Sequence, residues 1–348
     1  MAGRIEDYAV IGNCETMALV GRNGSIDWLG LPRFDSAACF SALLGEPEHG
    51  RWLIAPVEGA VNITRRYRGD TIILETVFET HSGTACVIDF LTRREGVSDL
   101  VRIVRGLRGC VAMRTDLIVR FEYGSVVPWV SRSGDHRREI TAGPDRLSLD
   151  TTVSLRGENF KTVGEFELAA NEEATFTLSW SRSYHAAPPA IQARKALVEA
   201  EAFWSEWSAQ FKAHNEWSKP VMRSLLTLKA LSHRETGGIV AAGTTSLPEK
   251  IGGGRNWDYR FCWLRDATFT LYALLGAGFV AEAKAWRSWL LRAVAGNPDD
   301  LQIMYGVAGE RRLVEYASVA ARLREVGPGP DRQRRCRADT TRRLWRGA

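Results

Sequence analysis

The chain has 348 residues, 45% hydrophobic and 25% charged, with a formal net charge of +5. This is ordinary soluble-protein composition with room for two domains, and no run approaches the roughly 20 apolar residues that a membrane-spanning helix needs. The positive charge is local: residues 322–348 hold nine arginines and no lysine against Glu325, Asp331 and Asp339, which leaves the first 321 residues close to neutral.

The opening MAGRIEDYAV has acids where a signal peptide needs its apolar core, so a cytoplasmic location is expected. Six cysteines, at 14, 39, 86, 110, 262 and 336, show no C-x-x-C pair and no nearby histidine. They read as reduced, mostly buried thiols, not as a disulfide framework or a metal site.

In chain order, MALVGRNGSIDWLGL sets Asn23-Gly24 between two apolar runs, which predicts a β-hairpin. β-rich runs follow: TIILETVFET, TACVIDFL, LVRIVRGL, CVAMRTDLIVRFEY, RLSLDTTV and ATFTLSWS. Many short strands without an intervening helix predict an antiparallel β-sandwich over residues 1–186. After AAPPA at 186–190 the period changes. Leu197, Ala200, Phe203, Trp204 and Trp207 recur at helical spacing, which predicts a linker helix within 187–216. SKPVMRSLLTLKALSHRET predicts a second helix with Ser218 as cap and Pro220 in its first turn. ATFTLYALLGAG and VAEAKAWRSWLLRAVAG predict a helix pair broken at Gly278. Strands first and helices afterwards argue for two domains. The arginine-rich 317–348 segment has too little apolar surface to order itself, so disorder is expected there.

RNWDYRFCWLRDATF, residues 255–269, alternates Trp257, Tyr259, Phe261 and Trp263 with Asp258, Arg260, Arg265 and Asp266. Sugars present apolar C–H faces and hydroxyl edges, and they are met by flat aromatics and charged forks. Period-two spacing sets the four rings on one side of an extended segment, with Asp266 at a helix N-cap. The competing reading is an aromatic strand packed on the core with Asp266 as a plain cap. IGGGRN at 251–256 lacks the G-K-[S/T] of a phosphate loop, and no serine or cysteine near a histidine suggests a triad. Ser246 is no better as a nucleophile, and His233, read as lying on an amphipathic helix, is taken as structural or exposed.

Residues 8–45 resemble the start of the N-terminal β-sandwich of bacterial glycoside hydrolase family 15 proteins, the glucoamylase group with trehalase-type members. Residues 237–275, GGIVAAGTTSLPEKIGGGRNWDYRFCWLRDATFTLYALL, resemble the beginning of that family's (α/α)6 barrel, and LQIMYGVAGERRLVEY at 301–316 continues it. The resemblance implies a β-sandwich followed by the first part of a barrel, with the catalytic domain over 217–316. It implies that Trp263, Arg265 and Asp266 grip the non-reducing glucose of an α-glucoside, that Tyr259 helps to position it, and that Trp257, Asp258 and Arg260 flank it. The implied partner is a small α-glucoside: trehalose, maltose or a short α-glucan. The implied chemistry is inverting hydrolysis by two carboxylates roughly 6.5–9.5 Å apart, with no cofactor needed, although phosphate or magnesium can matter in trehalase-type members.

Both family glutamates lie further along the barrel than the resemblance extends, and Glu310 and Glu315 sit in the wrong motif. No catalytic residue is therefore assigned, and a chain that binds sugar without turnover is expected. The abrupt change near Tyr316 is read as a shift of reading frame near codon 317, in preference to a natural paralogue with a basic tail. The rival functions are a non-catalytic sugar-binding or regulatory protein and, less well supported, a nucleic-acid binder using the arginine tail.

Overall fold

The computed structural model of the chain describes residues 3–212, 215–245 and 257–313. Ser246, the glycine run of 251–256, Glu315 and the 317–348 tail lie outside the described residues.

One strand organises the β domain. Val97–Ile118 is 22 residues long and belongs to two antiparallel sheets in succession. Its first half pairs with Gly83–Arg94 on one side and Glu173–Arg182 on the other. Its second half pairs with Arg51–Pro56 and Lys161–Ala169. The sequence suggests two strands here, broken at the glycines of RGLRG. In fact the strand runs on through a bulge opposite Thr84 and Ala85, and the glycines let other backbones approach where it changes sheets. A Cβ on Gly106 would lie 2.1 Å from the carbonyl oxygen of Ala169, and one on Gly109, at φ +67°, would lie 2.2 Å from that of Ser82.

Alternation along the strands turns Ile26, Trp52, Phe78, Val87, Val104, Met113 and Phe176 into a core shared by the two sheets. Within the β domain, Arg102 is fully buried, donates to both oxygens of the equally buried Asp89, and lies 5.3 Å from the Trp52 ring. It also donates to the carbonyls of Trp52 and Gly24, both at 2.7 Å. The Gly24 carbonyl belongs to the expected hairpin, Met17–Gly21 with Ser25–Gly30. Of the Asn-Gly pair only Gly24 takes positive φ, at +83°, while Asn23 accepts the Ser25 N–H through its side chain.

Among the described residues four α-helices follow: α1 (Ala193–Ser208), α2 (Ser218–Ala230), α3 (Leu264–Gly276) and α4 (Val280–Ala293). Leu197, Trp204 and Trp207 of α1 and Met222, Leu225 and Leu226 of α2 pack with Ile88, Phe90, Val101 and Ile103 on the β domain. Ser218 is the first residue of α2 rather than its cap, and its hydroxyl interacts instead with the side chain and N–H of Asn215. The helix also ends earlier than its pattern suggests. His233 lies beyond Ala230 and is buried, with its backbone N–H bonded to the Gly238 carbonyl. The α3–α4 break falls at Gly278, φ +94°, as its spacing predicts. Trp207 stacks on Phe279 with ring centroids 4.1 Å apart and donates to Glu282 of α4. Along α3, Phe269, Tyr272 and Leu275 face solvent at three-residue spacing, 71%, 82% and 48% exposed. Among the described residues no helix is long and apolar enough to cross a membrane.

Candidate sugar-binding site

The aromatic stretch is not one extended strand. Tyr259 and Arg260 form a turn, Cys262–Trp263 forms a two-residue strand, and α3 starts at Leu264. The Ala241 and Ala242 N–H groups donate to the Phe261 and Tyr259 carbonyls. Cys262–Trp263 pairs antiparallel with Met304–Tyr305, so two of the motif regions far apart in sequence meet here. Asp266 is therefore not the cap but lies in the first turn of α3, three residues past the N-cap Trp263, where its charge suits the positive end of the helix dipole.

The turn brings three rings together by a route other than strand alternation. Trp263 is flanked edge-on by Trp257, with centroids 6.3 Å apart, and by Tyr259, at 5.7 Å. Its indole N–H is taken by the Asp258 carbonyl at 3.0 Å, which fixes the half-buried ring. Arg265 reaches outward, with 74% of its side chain exposed. Asp266 Oδ2 is out of solvent and has no hydrogen-bond partner. Arg265 Nε, at 3.7 Å, neutralises charge but is too far for a bond.

Asp258 and Arg260 face elsewhere. Arg260, 4% exposed, forks onto Asp258 and donates to the Ser36 carbonyl at 2.7 Å and the Tyr123 hydroxyl at 2.6 Å. Its guanidinium lies over the Trp28 and Tyr123 rings at 5.6 and 5.3 Å. Burial alone would lower the Arg260 pKa, but Asp258 and then Tyr123 outweigh it and hold the group firmly charged. This pair is a joint to the β domain, with its hydrogen-bonding capacity largely used.

The β domain supplies partners that the sequence reading passed over. Trp28 donates to the Gly243 carbonyl at 2.8 Å, and a Cβ on Gly243 would sit 1.5 Å from Met17 Sδ, so the Met17 side chain would have to move to admit one. Arg33 bridges Asp35 at 2.7 Å and Glu310 at 2.9 Å, and Asp35 also accepts the Val307 N–H. Burial would lower the Arg33 pKa, but the two carboxylates hold it well up. Both Glu310 oxygens are engaged, the second by the Ala308 N–H. The available signal was the charged pair in LPRFDS, unusual in an otherwise apolar run.

Residues 217–343 match the model for glycosyl hydrolases family 15, and residues 1–150 match the trehalase-like N-terminal model. The chain carries a glycosyl hydrolase family 15 domain behind a trehalase-like N-terminal domain. It is similar to a trehalase of Mycolicibacterium smegmatis, 35% identical over 344 residues that cover 89% of this chain and 51% of the relative. A trehalase of Mycobacterium tuberculosis is 32% identical over 343 residues, with 89% and 50% covered. The chain thus spans about half the length of the curated relatives it matches. In fold it is similar to a bacterial glucoamylase solved with acarbose, with a TM-score of 0.63 at 13% identity over 89% of this chain and 53% of that one.

Proposed function

We propose that Tyr259, Trp263, Arg265 and Asp266 form a wall that receives the non-reducing glucose of an α-glucoside, trehalose or a short α-glucan. In the whole protein this recognition would serve inverting hydrolysis of the glucosidic bond. The observation that carries the reading is Asp266 Oδ2, a shielded acceptor with no donor, beside an outstretched guanidinium and a fixed indole. A sugar hydroxyl supplies the missing donor, a second hydroxyl accepts from Arg265, and the ring's C–H face covers Trp263. The named trehalases and the glucoamylase agree with this ligand class.

Trp257 joins the wall through its edge contact with Trp263, while Asp258 and Arg260 hold it in place. No residue of this chain is assigned as general acid or base: Asp258 is committed to Arg260, and Glu310 to Arg33. We therefore expect the 348-residue chain to bind the sugar without releasing glucose from it. Calorimetric titration with trehalose and glucose tests the wall. Binding should weaken by about tenfold or more in Arg265→Ala and Asp266→Asn, each of which removes a charged hydrogen-bonding group. Unchanged affinity in both variants would overturn the wall, and steady glucose release from trehalose would overturn the inactivity.

A further inference from the structure

Away from the aromatic wall, the β domain has a pocket of about 320 Å³, lined in part by Asp7, Tyr8, Arg22, Asn23, Asp27 and Arg51. Strand alternation explains its polarity. Ile11, Ile26 and Trp52 point into the core, so Tyr8, Asp27 and Arg51 on the same strands are presented on the opposite face. The floor is rigid. Asp27, 9% exposed, accepts the Tyr8 hydroxyl at 2.7 Å and the Ser25 hydroxyl on its other oxygen. Asn23 is oriented by the Ser25 N–H, which occupies its carbonyl oxygen and leaves its amide N–H groups for other acceptors.

One lining residue, Arg51, and its ion-pair partner Asp116 outside the lining each carry an unsatisfied polar atom. Arg51 Nε is buried without a partner, and Asp116 Oδ1, on the carboxylate that Arg51 Nη2 approaches at 3.5 Å, is likewise buried and unpartnered. Buried orphans of this kind are costly in a native fold unless something outside the chain completes them. The lining carries two carboxylates, Asp7 and Asp27, against two guanidinium groups, Arg22 and Arg51, so a ligand of either charge meets repulsion as well as attraction. A hydroxyl both donates and accepts, and a ring of hydroxyls suits such an alternating lining. The volume lies near the lower end of small-molecule pockets, about 300–1,000 Å³.

We propose that this pocket is a second sugar site, taking an uncharged polyhydroxylated molecule of mono- or disaccharide size, independent of the wall at 257–266. Its aromatic contribution is limited to Tyr8, whose hydroxyl is already committed to Asp27.

Backbone hydrogen exchange of the full chain tests it, with trehalose, maltose and glucose as probes and inorganic phosphate and glutamate as ionic controls. At least one sugar should slow exchange over residues 3–8 and 21–27, and neither ion should. The rim variant Asp7→Asn/Arg22→Ala should weaken that protection by about tenfold while leaving any protection at 257–266 unchanged. The wild-type measurement stands even if the variant misfolds. Sugar protection confined to 257–266, protection by neither site, or equal protection by phosphate or glutamate would each overturn the second site.

Discussion

Arg260 and Asp258, two residues apart in a turn, are joined by a two-pronged ion pair, Nη2 to Oδ2 at 2.6 Å and Nε to Oδ1 at 3.0 Å. The same guanidinium reaches Ser36 and Tyr123 of the β domain, so one side chain ties the candidate sugar wall to the sheet beneath it. Arg260→Ala should cost about 3 kcal/mol, the low end for breaking a buried pair, because Asp258 keeps 27% exposure in its side chain. Arg260→Lys should recover little, since a point charge cannot serve three partners in a planar fork. Urea unfolding would check both, and an unshifted midpoint in the alanine variant would refute the joint.

The Arg102–Asp89 pair allows no such discount. Both residues are fully buried, and of the two carbonyls that Arg102 holds one belongs to the Gly24 hairpin turn and the other to the strand Arg51–Pro56. Asp89→Ala strands a buried cation and should destabilise the chain by about 3–5 kcal/mol. Thermal melting of the variant is the measurement, and a loss below about 1 kcal/mol would contradict a fully desolvated pair.

Acid should loosen the junction of α1, α2 and α4. Burial pushes the Glu282 carboxyl up, but Lys229 Nζ at 2.8 Å and the Trp207 indole at 2.7 Å outweigh it, and its pKa lies below the usual carboxylate value. A carboxyl depressed on folding contributes stability above its unfolded pKa, about 4.3, and loses it as pH falls through the folded value. Glu282→Gln should therefore lower stability at neutral pH and flatten the acid limb. A parallel pH–stability curve for the variant would exclude Glu282 as the source.

The face of α3 carrying Phe269, Tyr272 and Leu275 is an apolar stripe in water. Contiguous patches of this kind favour association. Phe269→Lys/Tyr272→Ser should lower the weight-average mass in light scattering at raised concentration and leave the fold intact. Equal self-association in the variant would show that another surface is responsible.

Much of the β domain could be read from composition and alternation, since TACVIDFL and ATFTLSWS fall in strands, as does RLSLDTTV but for its last two residues. Arg51–Pro56 and Asn62–Tyr67 were missed: proline ends the first, and charged residues crowd the second. Glycine misled at 106–109 because its freedom can serve close approach as readily as chain reversal. At the candidate site, residue types were informative and geometry was not. Trp263 meets Trp257 and Tyr259 through a turn, and helix α3 begins before Asp266. The task of Arg260 depends on Ser36 and Tyr123, more than 130 positions away, which no local pattern encodes.

The shared strand Val97–Ile118 also orders events during synthesis. Its partners are spread from Arg51–Pro56 to Glu173–Arg182, so its two faces of pairing close only after the latter has been made. Such distant pairings form slowly, and domains generally fold as units while the chain grows. Every strand partner of Val97–Ile118 is thus synthesised before α3. Residues 257–266 follow them in the chain, and Arg260 docks on Trp28, Ser36 and Tyr123, all made earlier.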